Sequence, residues 1–435
     1  MNKRFRIWST IMMLICFITG VMVFGGARYS FAVFMKPLSE SMEWSRSELS
    51  LAVTINLIFY GLASPVIGWL FDTIGARKVM ITGAALMTCA LCAMYFANSL
   101  WVFYFLYGVL SAFGANAIGR MSQVSIVTNW FVKRRGMMMG VTALSIGLGT
   151  AIMAPVVRWL LDSYGWRMAF VALGVMMAVL VLVPIIVFVK GQGRPEDRGF
   201  GPDGSPLETT RDTSPNLAQA TQSKDTDWKV GEALRTKAFW AVSLAMGIAY
   251  MGSYIFLLHG PADFEDRGFS GATAAMVLSI GTLASCVGRL GFGWLADQAP
   301  LKAGFLLQIG LHLIALPLVL IDGSVYWLYA FAIIWGVGYG GTGVYLPYAI
   351  AYYYGRSSFA SIYGWSAMAS TFCGATGGYL GGLVYDLTGS YYFAWVGCAL
   401  LWALALLLIA LFADKPLRRT HPIPINEMRP SSSKA

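Results

Sequence analysis

Twelve apolar stretches, each about the twenty residues a helix needs to cross the hydrocarbon of a bilayer, leave this 435-residue chain few ways to fold. They run at roughly 8–35, 48–71, 79–97, 101–128, 137–160, 167–189, 238–259, 272–295, 303–321, 325–352, 359–384 and 391–413. The predicted class is an all-α membrane protein of twelve transmembrane helices. Composition agrees: only 12% of residues are charged, where soluble domains carry about a quarter. The six cysteines fall in apolar runs and read as packing residues; Cys89 and Cys92 are three apart with no His nearby, so no metal site is expected. Neither metal nor cofactor is expected. The run after Arg6 is too long for a signal-peptide core, so it is read as a first span.

Between the sixth and seventh stretches lies 191–235, rich in Pro, Gly, Asp, Thr and Ser. It reads as a polar, mobile connector. The expected organisation is a six-helix bundle over 1–190, a cytoplasmic linker over 191–235, a second bundle over 236–413 and a cytoplasmic tail over 414–435. Charge sets the orientation. Lys3, Arg4, Arg6, Arg77, Lys78, Lys133, Arg134, Arg135, Lys302, Arg356, Lys415, Arg418 and Arg419 fall on one side. The other side holds Glu40, Glu43, Glu48, Asp162, Asp263, Glu265, Asp266, Asp322 and Asp386. The positive-inside rule then places both termini in the cytoplasm, at a cell (inner) membrane. The net charge of +10 is thus a topology signal, and nucleic acid is not an expected partner.

The two halves repeat. "GWLFDTIGARK" begins at Gly68 and "GWLADQAPLKAG" at Gly293, an offset of 225 that Trp44-Ser45 and Phe269-Ser270 share. "DSYGWRMAF" from Asp162 and "DLTGSYYFA" from Asp386 are offset by 224. Three anchors whose spacings agree to within one residue predict pseudo-symmetric bundles. In the first copy Gly68, Asp72, Gly75, Arg77 and Lys78 combine a small residue for close helix approach with an acid at a helix end. The second copy keeps Gly293 and Asp297, but Pro300 replaces the later Gly, and of the two basic residues only Lys302 remains.

This loop resembles the signature loop of the major facilitator superfamily, and the resemblance spans the chain. Within that superfamily three segments resemble the monocarboxylate porter and oxalate/formate antiporter group: "RYSFAVFMKPLSESMEWSRSELSLA", "NWFVKRRGMMMGVTALSIGLG" and "RPEDRGFGPDG". The acidic start of the first helix in the animal branch is missing, which points to the bacterial branch. The resemblance implies secondary transport by alternating access, with the loop between the second and third helices bracing the cytoplasmic side.

Ionisable residues at membrane depth are one-sided: Arg28, Arg120, Arg158, Arg289 and His259, with no Asp or Glu in the interior of any apolar run. Arg289 stands eight residues, about 12 Å, before Asp297, near the midplane. Placing an arginine there costs roughly 2.5–3.5 kcal/mol on insertion scales. With no acid in the runs, the expected counter-charge is a substrate carboxylate, which the planar guanidinium can grip with two bonds. The family resemblance implies the same role for an arginine in the eighth helix.

Other candidates follow from position. Ser285 is one turn from Arg289 on the same face, where the animal branch carries an aspartate. Ser370 stands where the oxalate branch carries a second cation, a departure that favours a monocarboxylate. Arg28, beside Tyr29, either faces the cavity or reaches for the outer interface. Asn116 and Tyr339 are cavity candidates. Arg120 reads as a gate or structural tether. His259 is the candidate proton relay, its alternative being a hydrogen-bonded interfacial histidine. Proton-linked monocarboxylate transport by a monomer is the leading expectation. Anion exchange of the oxalate/formate type is the alternative, with a transport-inactive membrane sensor as the reading from another class.

Overall fold

The computed structural model describes residues 3–206, 228–321 and 323–416. Asp322, Arg418, Arg419 and the middle of the linker therefore lie outside the described residues. Twelve helical rods account for almost all of the described chain, and it contains no strand. They are α1 (Lys3–Met42), α2 (Arg46–Ile74), α3 (Ala76–Phe96), α4 (Leu100–Trp130), α5 (135–164), α6 (166–188), α7 (Lys237–Asp266), α8 (Gly271–Gln298), α9 (Leu301–Val319), α10 (Val325–Tyr354), α11 (Phe359–Thr388) and α12 (Tyr392–Phe412). In hydrocarbon every backbone N–H and C=O must be satisfied internally, and continuous helices do so.

The internal repeats acquire physical meaning at the helix ends. Ser45 caps α2: its Oγ accepts from the Glu48 N–H at 3.2 Å, and the Glu48 carboxylate accepts from the Ser45 N–H at 2.8 Å. Ser270, 225 residues on, caps α8 by accepting from the Thr273 N–H at 3.2 Å. Each cap satisfies a helix-end donor that lipid could not. The second repeated segment also ends helices. Gly165 separates α5 from α6 at φ 74°, and Gly389 ends α11 at φ 68°. Both sit at a backbone angle that L side chains avoid, which is why the repeat holds a glycine there.

Three rods are irregular: Val21–Tyr29 of α1, Tyr104–Leu110 of α4 and Ala178–Leu182 of α6 widen into π-helical turns. Helix α4 then breaks at Gly119 (φ −83°, ψ −125°), immediately before Arg120. π-Turns inside α-helices occur frequently at functional sites. Across the middle, α2 packs on α11 and α5 on α8.

The start of the linker differs from the expected mobile connector, because residues 191–206 are folded onto the helix ends. Trp130 Nε1 donates to the Gly193 carbonyl at 2.8 Å, and the Arg198 guanidinium lies 3.2 Å above the Trp8 ring. The Asp203 carboxylate accepts from the Val132 and Lys133 N–H groups at 3.1 and 3.0 Å. Polar composition concealed these contacts because they use backbone donors and ring faces.

Candidate functional site

Between the first six and last six helices lies a cavity of about 160 Å³. Three arginines from three rods reach it: Arg28 of α1, Arg120 of α4 and Arg289 of α8. Six tyrosines share its wall: Tyr29, Tyr60, Tyr250, Tyr254, Tyr339 and Tyr363. Among the described residues no Asp or Glu lines it. Guanidinium groups stay protonated in proteins, so the cavity carries three fixed positive charges.

Each arginine is held differently. Arg28 leaves the π-widened turn of α1 and lies with its guanidinium carbon 4.2 Å from the Tyr60 ring centroid, a cation–π contact. Arg120 crosses the molecule: its Nη2 donates to the Gly343 carbonyl of α10. Arg289 is 7% exposed, and its nearest polar contact is the Cys286 sulfur, 4.0 Å from Nη1. That is a weak partner for a buried cation. Tyr60 lies within electrostatic reach of both Arg28 and Arg120, and Tyr250 of both Arg120 and Arg289. The three charges therefore address one volume rather than separate niches.

Glycines place α8. A Cβ at Gly140 would stand 2.3 Å from the Arg289 carbonyl, and one at Gly340 would stand 2.6 Å from the Arg289 nitrogen. Bare backbone on α5 and α10 thus allows α8 to approach both closely enough for Arg289 to reach the cavity.

The other expected residues divide. Tyr29, Asn116, Tyr339 and Ser370 line the cavity. Asn116 Nδ2 donates to the Tyr60 carbonyl and to Ser64 Oγ, both at 2.8 Å. Ser370 Oγ is occupied, facing the Ser366 and Ser243 carbonyls at 2.7 and 3.0 Å. Tyr339 stacks on Trp335, ring centroids 5.0 Å apart.

Ser285 does not line the cavity. It is buried where α8 crosses α10, with its Oγ bonded back to the Thr282 carbonyl at 2.7 Å. It shares the helix face of Arg289 but lacks the reach of that side chain. His259 also lies apart from the cavity. Its Nε2 is 2.8 Å from the Gly378 carbonyl and its Nδ1 3.4 Å from the Tyr391 hydroxyl. A carbonyl can only accept, so Nε2 carries the proton and the ring ties α7 to α11.

Arg120 was expected as a gate or tether. It does bridge the two sides of the cavity, and it also presents its guanidinium to that cavity. The sequence signal was the Gly119-Arg120 pair within an apolar run. Tyr60, Tyr250, Tyr254 and Tyr363 carried no signal, since aromatics are common throughout such helices.

The signature residues assemble at the end of the molecule where the basic loops lie. The Asp72 carboxylate accepts from the Ala360 and Ser361 N–H groups at 3.3 and 2.7 Å, and from the Ser361 hydroxyl at 2.5 Å. The Asp297 carboxylate accepts from the Gly136 and Met137 N–H groups at 2.7 and 2.9 Å. An acid on α2 thus caps α11, and its repeat on α8 caps α5. Gly68 and Gly293 permit these crossings. A Cβ would stand 2.2 Å from the Ala360 carbonyl oxygen in the first and 2.7 Å from the Gly136 carbonyl oxygen in the second. Gly75 turns the chain at φ 85°. Arg77 Nη2 donates to the Ile186 carbonyl at 3.1 Å, while Lys78 is exposed.

Comparison with known proteins agrees with this geometry. The chain is 26% identical over 388 residues to monocarboxylate transporter 13 of Rattus norvegicus, covering 88% of this chain and 84% of that one. It is 23% identical over 377 residues to the oxalate:formate antiporter of Oxalobacter formigenes, covering 86% and 82%. The fold matches that of the proton:xylose symporter XylE with a TM-score of 0.70 at 15% identity, over 94% of this chain and 97% of that one. The sequence profile of the Major Facilitator Superfamily matches residues 17–378. The chain is a multi-pass membrane transporter that belongs to the Major Facilitator Superfamily.

Proposed function

We propose that this protein is a secondary transporter of a small carboxylate anion, bound between the two halves by Arg289 with Arg28 and Arg120. One observation carries the reading: three arginines share a cavity in which, among the described residues, no acid neutralises them. Uncompensated charge in a low-dielectric site is expensive, and an anionic substrate removes most of the penalty. The guanidinium fork grips a carboxylate with two parallel bonds, which a neutral sugar could not match. The rat and Oxalobacter relatives, whose names specify carboxylates, support the same class.

Alternating access follows by rocking the 1–190 bundle against the 236–413 bundle. The Asp72 and Asp297 clasps join the two halves at the basic end, and the Arg120–Gly343 bond joins them at the cavity. The positive-inside rule puts that end, with both termini, in the cytoplasm of a cell whose inner membrane holds the protein. Proton-linked monocarboxylate transport then requires the substrate's own carboxyl to carry the proton, because neither Ser285 nor His259 lines the cavity.

Anion exchange is the second reading, and the three-arginine cavity favours it: the site recrosses easily only when an anion fills it. Proteoliposome uptake of labelled lactate, pyruvate, formate and oxalate separates the two. A proton-linked carrier accumulates substrate under an inward proton gradient. An exchanger needs internal anion and ignores the gradient. Saturable uptake of a neutral sugar, unaffected by these acids, would refute the carboxylate reading.

A further inference from the structure

The α4 wall of the cavity carries hydrogen-bonding capacity that the protein itself leaves unused. Asn116 is 1% exposed. Its amide orientation is fixed, because the group facing the Tyr60 carbonyl must be a donor, and Nδ2 fills that place at 2.8 Å. Oδ1 is therefore turned away from Tyr60, and it is buried with no donor among the described residues. One turn later, past the break at Gly119, Arg120 gives Nη2 to the Gly343 carbonyl. Its Nη1 is buried with no acceptor among the described residues, while the Tyr363 hydroxyl shares a hydrogen bond with the same guanidinium. One unmet acceptor and one unmet donor thus stand a turn apart on a single wall of the cavity. Buried polar atoms are rarely left in that condition unless something outside the protein satisfies them.

A hydroxyl group meets both needs, since it donates through hydrogen and accepts through oxygen. A ketone oxygen can accept from Arg120 but has nothing to give Asn116. A methylene satisfies neither. We propose that Asn116 and Arg120 form a second recognition point that reads a hydroxyl on the substrate, so that the transporter selects hydroxy-carboxylates over their keto and unsubstituted analogues. This rests on the carboxylate reading, with Arg289 taking the carboxylate and α4 taking the hydroxyl. Leaving a buried amide oxygen unpaired weakens binding by roughly tenfold or more, and that sets the expected preference for hydroxy over keto acid.

The test uses the full chain in proteoliposomes and competes matched three-carbon acids: lactate, pyruvate and propanoate. The wild type should prefer lactate over pyruvate by about tenfold or more, with propanoate weakest. Asn116→Ala and Asn116→Leu should each bring the lactate-to-pyruvate ratio to within about twofold, because the acceptor is gone for both acids. A ratio taken within one sample does not depend on how much protein has folded. Arg289→Gln should abolish uptake of all three. Equal uptake of lactate and pyruvate by the wild type would overturn the inference while leaving the carboxylate reading intact, and would mean that water fills the site. A preference that survives both Asn116 variants would overturn it too. Failure of every carboxylate to enter would remove the underlying reading, and the inference with it.

Discussion

The two clasps at the basic end come from one repeated sequence, yet they are not equally complete. At α2 and α11, Asp72 takes two backbone N–H groups and a hydroxyl, Gly75 turns the chain, and Arg77 reaches α6. At α8 and α5, Asp297 takes two backbone N–H groups, and the loop beyond has lost its second glycine and second basic residue. The remaining Lys302 turns elsewhere, pairing with Asp414 at 2.8 Å. The clasp itself therefore needs only a glycine where two helices touch and an acid one turn later. Arg77 of the complete copy does separate work, tying α3 to α6.

This comparison can be broken at graded points. Removing both acids, as Asp72→Asn with Asp297→Asn, should have the largest effect, because five donor contacts lose their charged acceptor. A cysteine at Ser125, buried on α4 in the small pocket that Asp72 and Ala360 also line, in a background without native thiols, should label faster by an order of magnitude or more, given a cost of about 1–3 kcal/mol for each clasp. Unchanged labelling would show that the clasps do not hold this end shut.

Gly68→Ala and Gly293→Ala test the crossings. Each should cost about 1–3 kcal/mol of stability in detergent, with Gly68 the more sensitive because its Cβ would meet the opposing carbonyl at 2.2 Å rather than 2.7 Å. The reverse order in thermal unfolding would contradict the geometry. Lys302→Ala should matter least. Its partner is 75% exposed, so the pair contributes at most about 1 kcal/mol, and whatever it contributes should fade in high salt.

Much of this framework was legible because helix ends have local rules. The repeats at 45 and 270, at 72 and 297, and at 165 and 389 each mark a cap, a clasp or a positive-φ glycine, and each can be read from a few adjacent residues. The place of Arg289 in the cavity was legible for a different reason: an arginine far from any helix end in an apolar run has to face a polar interior rather than lipid. The inward pose of Arg120 was not, since it depends on the break at Gly119 and on a carbonyl 223 residues away. Ser285 shows the limit of helix-face reasoning. Sharing a face with Arg289 made it a cavity candidate, but it is buried at the α8–α10 crossing, and its short side chain stops short of the cavity that a guanidinium can enter. The folding of 191–206 was hidden too, because its anchors are ring faces and backbone groups supplied by distant helices.

The central claim is that the cavity arginines bind a carboxylate, and the most direct measurement is carboxylate uptake by reconstituted Arg289→Gln and Arg289→Lys variants beside the wild type. The account predicts that Gln abolishes uptake and that Lys, which keeps the charge but loses the two-pronged grip, retains only a small fraction of it. Uptake at wild-type rates in both variants would contradict it.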